Sequence, residues 1–201
     1  MQRQLRSFSI ILTIVLAFLV SGCVGTVKNM REVPADKASY VPESGKSVIV
    51  FMRPSSLGFA VQSSVFEIKD NKPELVGIVA AKTKLAYRVN PGKRLFMSIG
   101  ENADFMAADI QPNKTYYVYV SPRMGMWKAR FALEPKLKAD LDKAEFKSDY
   151  DDCRWVETIP ESSVWARDNM PSIESKRADY YPDWLKIPEA ERPQLRAEDG
   201  R

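Results

Sequence analysis

Val48-Ile49-Val50-Phe51-Met52 is a short, continuous apolar run that opens directly after Ser47. Such a run is the pattern of a strand covered on both faces. Downstream, Phe66 and Ile68 alternate with Val65 and Glu67 up to the turn Asp70-Asn71-Lys72-Pro73, and Leu75 to Ala81 is a second apolar run. Leu85, Tyr87 and Val89 alternate with Lys84, Ala86 and Arg88 until Asn90-Pro91-Gly92 ends the segment. Leu95, Met97 and Ile99 keep period two as far as Gly100 and Asn102. After Pro112-Asn113, the residues Thr115-Tyr116-Tyr117-Val118-Tyr119-Val120 are strongly β-forming. Ser121 to Gly125 then turns the chain into Trp127 to Leu133, with cations on one face and large apolar groups on the other. Seven or eight short strands with regular turn signals predict a mainly β fold, an antiparallel sandwich or barrel over 47–134. Helical segments that would mark a parallel α/β sheet do not separate them.

Upstream, residues 24–46 show no sustained period and contain Pro34, Pro42 and Gly45. From Cys23 to Lys46 they read as a flexible tether with a typical span of ~25 Å. The 201 residues, 45% apolar and 28% charged, suit one globular domain with additions. Histidine is absent from the sequence, which excludes Ser-His-Asp and Cys-His hydrolases and HExxH metalloproteases, all of which need an imidazole. The formal charge of +4 includes Arg3 and Arg6; without them it is 28 cations against 26 anions, too even for a nucleic-acid binder.

Those two arginines head a leader. Phe8 to Val20 is an uncharged, mainly apolar run followed by Ser21 and Gly22. A basic head, a short apolar stretch and a small-residue exit make residues 1–22 a secretory signal. Thirteen residues rise only ~20 Å as a helix, short of the ~30 Å hydrocarbon core, which argues against a retained membrane span.

Val20-Ser21-Gly22-Cys23 resembles the lipobox of bacterial lipoproteins. The resemblance implies lipidation of the Cys23 thiol, removal of the preceding segment and acylation of the new amino terminus. Three acyl chains hold a protein to a bilayer effectively permanently. Val24 in place of aspartate after the cysteine implies, by the same resemblance, an outer-membrane destination facing the periplasm. Lipidation leaves Cys153 as a buried small hydrophobe or a site for an intermolecular disulfide. Ser47 to Pro54, Pro91 to Gly100 and Asn113 to Val120 also resemble a bacterial lipoprotein family of uncharacterised function. That likeness implies an immunoglobulin-like or transthyretin-like β-sandwich and brings no catalytic residues.

Beyond the sandwich, Pro135 to Phe146 places Leu137, Leu141 and Ala144 on one face of an amphipathic helix. Three of the four tryptophans, Trp155, Trp165 and Trp184, lie in the charged segment that follows, with Tyr180 and Tyr181. Disordered segments are poor in aromatics, so 135–187 reads as a short α-helical extension packed on the sandwich, with helices near 161–169 and 172–181. Residues 188–201 read as a mobile tail. The aromatic set either covers an open face or edge of the sandwich or forms a patch for another envelope protein.

Other chemistry is sparse. Asp149-Tyr150-Asp151-Asp152 lacks the glycine and distal glutamate of an EF-hand and reads as a solvated acidic turn, so no metal site or cofactor is assigned. Glu67, Glu101, Asp104 and Asp109 contain no evident pair for carboxylate-based hydrolysis. Lys82, Lys84, Arg88, Lys93 and Arg94, joined by Lys128 and Arg130, form a basic region that reads as a solvent face or as a surface for an acidic partner. Asn113-Lys114-Thr115 reads as a turn. These features point to a non-enzymatic structural or protein-interaction module held to the envelope membrane by Cys23. The alternative is a small-ligand or glycan-binding sandwich in which Tyr117, Tyr119 and Trp127 stack against the ligand, with Tyr116 turned inward. A carboxylate hydrolase is a third reading.

Overall fold

All seven residues of the Ser47–Arg53 strand are buried, because it lies inside a sheet whose two faces are both covered. The computed structural model describes residues 27–38, 40–124 and 129–201, so the leader, Cys23 and Trp127 lie outside the described residues. Sheet A runs in the order β1 (Met30–Val33), β10 (Arg154–Thr158), β5 (Thr83–Val89), β2 (Ser47–Arg53), β8 (Thr115–Met124) and β9 (Ala129–Pro135). Sheet B runs β11 (Gln194–Leu195), β7 (Ala103–Ile110), β6 (Gly92–Ile99), β3 (Ser63–Lys69) and β4 (Lys72–Val79).

The chain is mainly β and sandwich-like, but its sheets are mixed. β2–β8, β10–β5 and β11–β7 are parallel pairs. The departure from a purely antiparallel arrangement follows from how the chain changes layers. After β7 it crosses from sheet B to sheet A and enters β8 at the same end as β2. Between the sheets, Ile49, Phe51, Leu85, Tyr116, Val118 and Phe131 meet Val65, Ile78, Phe96, Met106 and Ile110. Burying a side chain of this size contributes ~1.5–3 kcal/mol.

Two helices cover the outer faces. α1 (Ala144–Asp152) sets Phe146 and Tyr150 against Val48, Val50, Met52, Tyr117 and Tyr119 of sheet A. α2 (Pro160–Lys186) sets Ala166, Ile173 and Trp184 against Phe66, Met97 and Phe105 of sheet B. The two short helices read from the sequence are therefore one helix of 27 residues. It contains Pro171 and Pro182, and packing along its length outweighs the ~3 kcal/mol that an internal proline costs. Among the described residues, no helix is long and apolar enough to cross a membrane.

Three further boundaries differ from expectation. The helix read over 135–146 begins at Ala144, because β9 continues through Pro135 and the Lys136 N–H donates to the Tyr117 carbonyl. The segment read as a tether enters the fold at Met30: β1 pairs with β10, and Tyr40 packs 4.4 Å from Trp155. Residues 188–201 are not a loose tail. Leu195 is fully buried, Gly200 lies against the Tyr116 ring, and Arg201 exchanges backbone hydrogen bonds with Thr115. A polar-looking segment is held here by backbone pairing that its composition does not announce.

The register defines two ends. Met30 lies opposite Thr158 while Arg154 lies beside Thr83, so the described chain enters at the Val89 end of β5. The β3–β4 turn at Asp70 and Asn71, both left-handed as a two-residue hairpin requires, occupies this entry end, as does Asn90-Pro91. Arg53 lies opposite Thr83 at the distal end. One side of the sandwich is closed by side chains. Asn102 makes two hydrogen bonds to the Phe131 backbone, and Asp104 Oδ2 accepts from the Leu133 N–H at 2.8 Å. They occupy donors that an edge strand would otherwise expose.

Candidate functional site

Tyr116 turns into the inter-sheet core, and Tyr117 and Tyr119 share the outer face of sheet A. Neither of the latter offers an open platform, with exposures of 6% and 8%. Phe146 stands edge-on to Tyr117 at 5.0 Å and stacks on Tyr119 at 6.4 Å. The Tyr119 hydroxyl donates to Asp149 Oδ2, Lys136 Nζ lies 4.1 Å from its ring, and Arg201 covers Tyr117. These rings are stacked on by the chain's own groups, which corrects the expectation that they stack a ligand. Trp127 lies outside the described residues.

The five C-terminal aromatics divide between opposite layers. Trp155 is buried on sheet A, where Lys84 Nζ sits 4.9 Å from its ring and 3.5 Å from that of Tyr150. Lys84 also donates to the Tyr150 carbonyl, and desolvation pulls its ammonium below the ordinary lysine range. Burial pushes the neighbouring Cys153 thiol up to about 12. Trp165, Tyr180, Tyr181 and Trp184 lie on α2 against sheet B. Phe105 is 5.0 Å from Tyr181 and 6.0 Å from Trp184, and the last two stack at 5.8 Å. They cover a face rather than form one patch.

The basic region is also divided, because β5 and β6 belong to different sheets. Lys82 pairs with Asp152, Arg88 with Glu43 and Arg130 with Glu101, while Lys128 lies outside the described residues. Asp104 is held at β9, where burial raises its pKa, and Asp109 lies opposite Lys93. The acidic turn is the last part of α1.

Two sites were not singled out from the sequence. At the distal end, Arg53 is fully buried, and its guanidinium donates to the carbonyls of Leu57, Gly58 and Val61 at 2.6, 2.9 and 2.6 Å. The same group lies 4.8 Å over the Phe131 ring, and burial lowers its pKa to about 10. Gly58 is left-handed, and Val61 N–H donates to its carbonyl. The loop is thereby fixed with Leu57, Phe59 and Val61 exposed by 52%, 51% and 42%. The signal was an alternating Leu57-Gly58-Phe59-Ala60-Val61 inside a Pro/Ser-flanked loop, where apolar residues are not needed for a core.

At the entry end, a groove of about 480 Å³ is lined by Ile68, Lys69, Asp70, Lys93, Arg94 and Leu95. A smaller hollow shares Ile68 and Leu95 and adds Phe105, Arg177 and Tyr181. Beneath the rim, Glu67 is 1% exposed. It accepts from Tyr87 at 2.5 Å and lies 3.3 Å from Lys69 and 3.6 Å from Arg94. Alternation on β3 turns Glu67 inward and Ile68 outward, which places the carboxylate under the cations. Arg94 also donates to the carbonyls of Asn90 and Pro91, and Arg177 pairs with Glu174 and Asn71.

No protein-family model matches the chain, and no curated protein is significantly similar to it.

Proposed function

We propose that this protein is a lipid-anchored module of the bacterial cell envelope that binds a protein partner through its distal tip and carries out no catalysis. The observation that carries the reading is the loop held by Arg53. Three apolar side chains face solvent because a buried guanidinium fixes the backbone beneath them. Exposed apolar groups on a rigid support are a common mark of an interaction surface. Val20-Ser21-Gly22-Cys23 supplies the anchor, with the outer membrane facing the periplasm as the destination. Seven Cα–Cα steps from Cys23 to Met30 reach at most ~25 Å, and Met30 stands at the entry end, so that end lies nearer the bilayer and the tip points away from it. That orientation favours a protein over the anchoring lipid as the tip's occupant. The immunoglobulin-like or transthyretin-like type belongs to the same reading, supported by the repeated crossing of the chain between two facing sheets.

Two measurements test it. Labelled palmitate enters the wild-type protein and not the Cys23→Ala variant, which also leaves the membrane fraction. A photo-crosslinking residue at Phe59 in intact cells captures a discrete envelope protein, and Leu57→Ser with Val61→Ser abolishes the adduct. Crosslinking at Phe59 no stronger than at exposed Leu137 overturns the interaction reading.

A further inference from the structure

The entry-end groove combines three properties. Its volume falls within the range of small-molecule sites, ~300–1,000 Å³. Its lining is cationic, with Lys69, Lys93 and Arg94 around the larger part, Arg177 beside the smaller and Asp70 as the acid among the lining residues. Its apolar part is the pair Ile68 and Leu95, both half-buried beside the α2 aromatics.

The cations are held in place before any ligand arrives. Lys69 bridges Glu67 and Glu74, and Arg94 is fixed by Glu67 and two backbone carbonyls. Lys93, exposed on the outer face of β6, has no ion-pair partner within 4.0 Å among the described residues. The groove also shares an end of the sandwich with Met30, the first residue of β1.

We infer that this groove binds an anionic phospholipid, its phosphate at Lys69, Lys93 and Arg94 and the start of its acyl chain against Ile68 and Leu95. Charge complementarity selects the headgroup, and the apolar pair distinguishes a lipid from a free anion. The supply of lipid from the anchoring bilayer rests on the function proposed above; the groove's chemistry does not.

The test uses the full chain carrying Cys23→Ala, purified in a maltoside detergent and titrated calorimetrically with dihexanoyl phosphatidylglycerol. Parallel titrations use dihexanoyl phosphatidylcholine and inorganic phosphate. Phosphatidylglycerol binds at least tenfold more tightly than either, and added salt weakens it. Lys93→Gln weakens binding about fivefold, the effect of one cation at an anionic headgroup, and Lys93→Arg restores it. Equal binding of the two lipids, equal binding of inorganic phosphate, or an unchanged affinity in Lys93→Gln overturns the inference. Since the chain is unlipidated in this experiment, a failed palmitate label leaves its outcome intact.

Discussion

The hydroxyl of Tyr87 on sheet A reaches across the core and donates to Glu67 on sheet B at 2.5 Å, joining the two layers through a buried carboxylate. Lys69 and Arg94 approach the same carboxylate from the entry end. The tie is thus both an inter-sheet link and the base of the cationic groove.

Tyr87→Phe removes that donor while keeping the ring beside Phe96. Leaving a buried carboxylate short of a hydrogen bond costs ~1–3 kcal/mol. Urea unfolding should show a loss in that range with an unchanged slope. A difference below ~0.5 kcal/mol would mean the contact does not stabilise the fold.

Stability should fall as pH rises above about 9. Burial raises Cys153 from 9.0, and Tyr87 and Tyr150 from 10.0, each to about 12. The unfolded chain therefore releases these protons before the folded chain does, and stability present below pH 9 is lost as pH climbs toward 12. Thermal unfolding from pH 8 to 11 should give a declining Tm. Cys153→Ala should flatten the first part of the decline, and a Tm that rises through pH 10 would contradict the assignment.

Arg53→Met fills similar space but leaves the carbonyls of Leu57, Gly58 and Val61 without their shared donor. The expected cost is ~2–4 kcal/mol, in the range for buried polar networks. Hydrogen exchange at the Val61 amide, which closes the loop on Gly58, should accelerate more than that of amides in β2. Uniform acceleration across the sheet would show that Arg53 supports the fold generally rather than the loop.

Gly200→Ala tests the docked C-terminus. A Cβ at this position would lie 2.7 Å from two carbons of the Tyr116 ring, which is fully buried and cannot turn aside. The substitution should cost ~1–3 kcal/mol through overpacking. It should also raise proteolysis after Pro193; wild-type resistance in the variant would place little weight on this contact.

Legibility varied with how local the governing physics was. β2, β3, β5, β6 and β8 were visible because alternation or a full apolar run is a property of neighbouring residues. β7 carries less local signal: five of its eight residues, Ala103, Asp104, Ala107, Ala108 and Asp109, are small or acidic, and Ala103 and Ala107 pack on the face that α2 covers. β1 and β11 are each completed by a partner far along the chain, β10 and β7, so their own composition carries little signal. At the candidate sites, Lys93 and Arg94 were recognised as basic, but their grouping with Lys69 and Arg177 depends on a turn and a helix that no spacing reveals.

Read alone, the amino-acid order determined the strand content, the leader pattern and the absence of imidazole chemistry. Each follows from residue type or short-range periodicity. Folding decided which tyrosines were hidden, that the last residues close against Thr115, and that Lys69, Lys93 and Arg94 lie at one end while Leu57, Phe59 and Val61 lie at the other. Those outcomes depend on contacts between layers, where residues dozens of positions apart exclude water from one another.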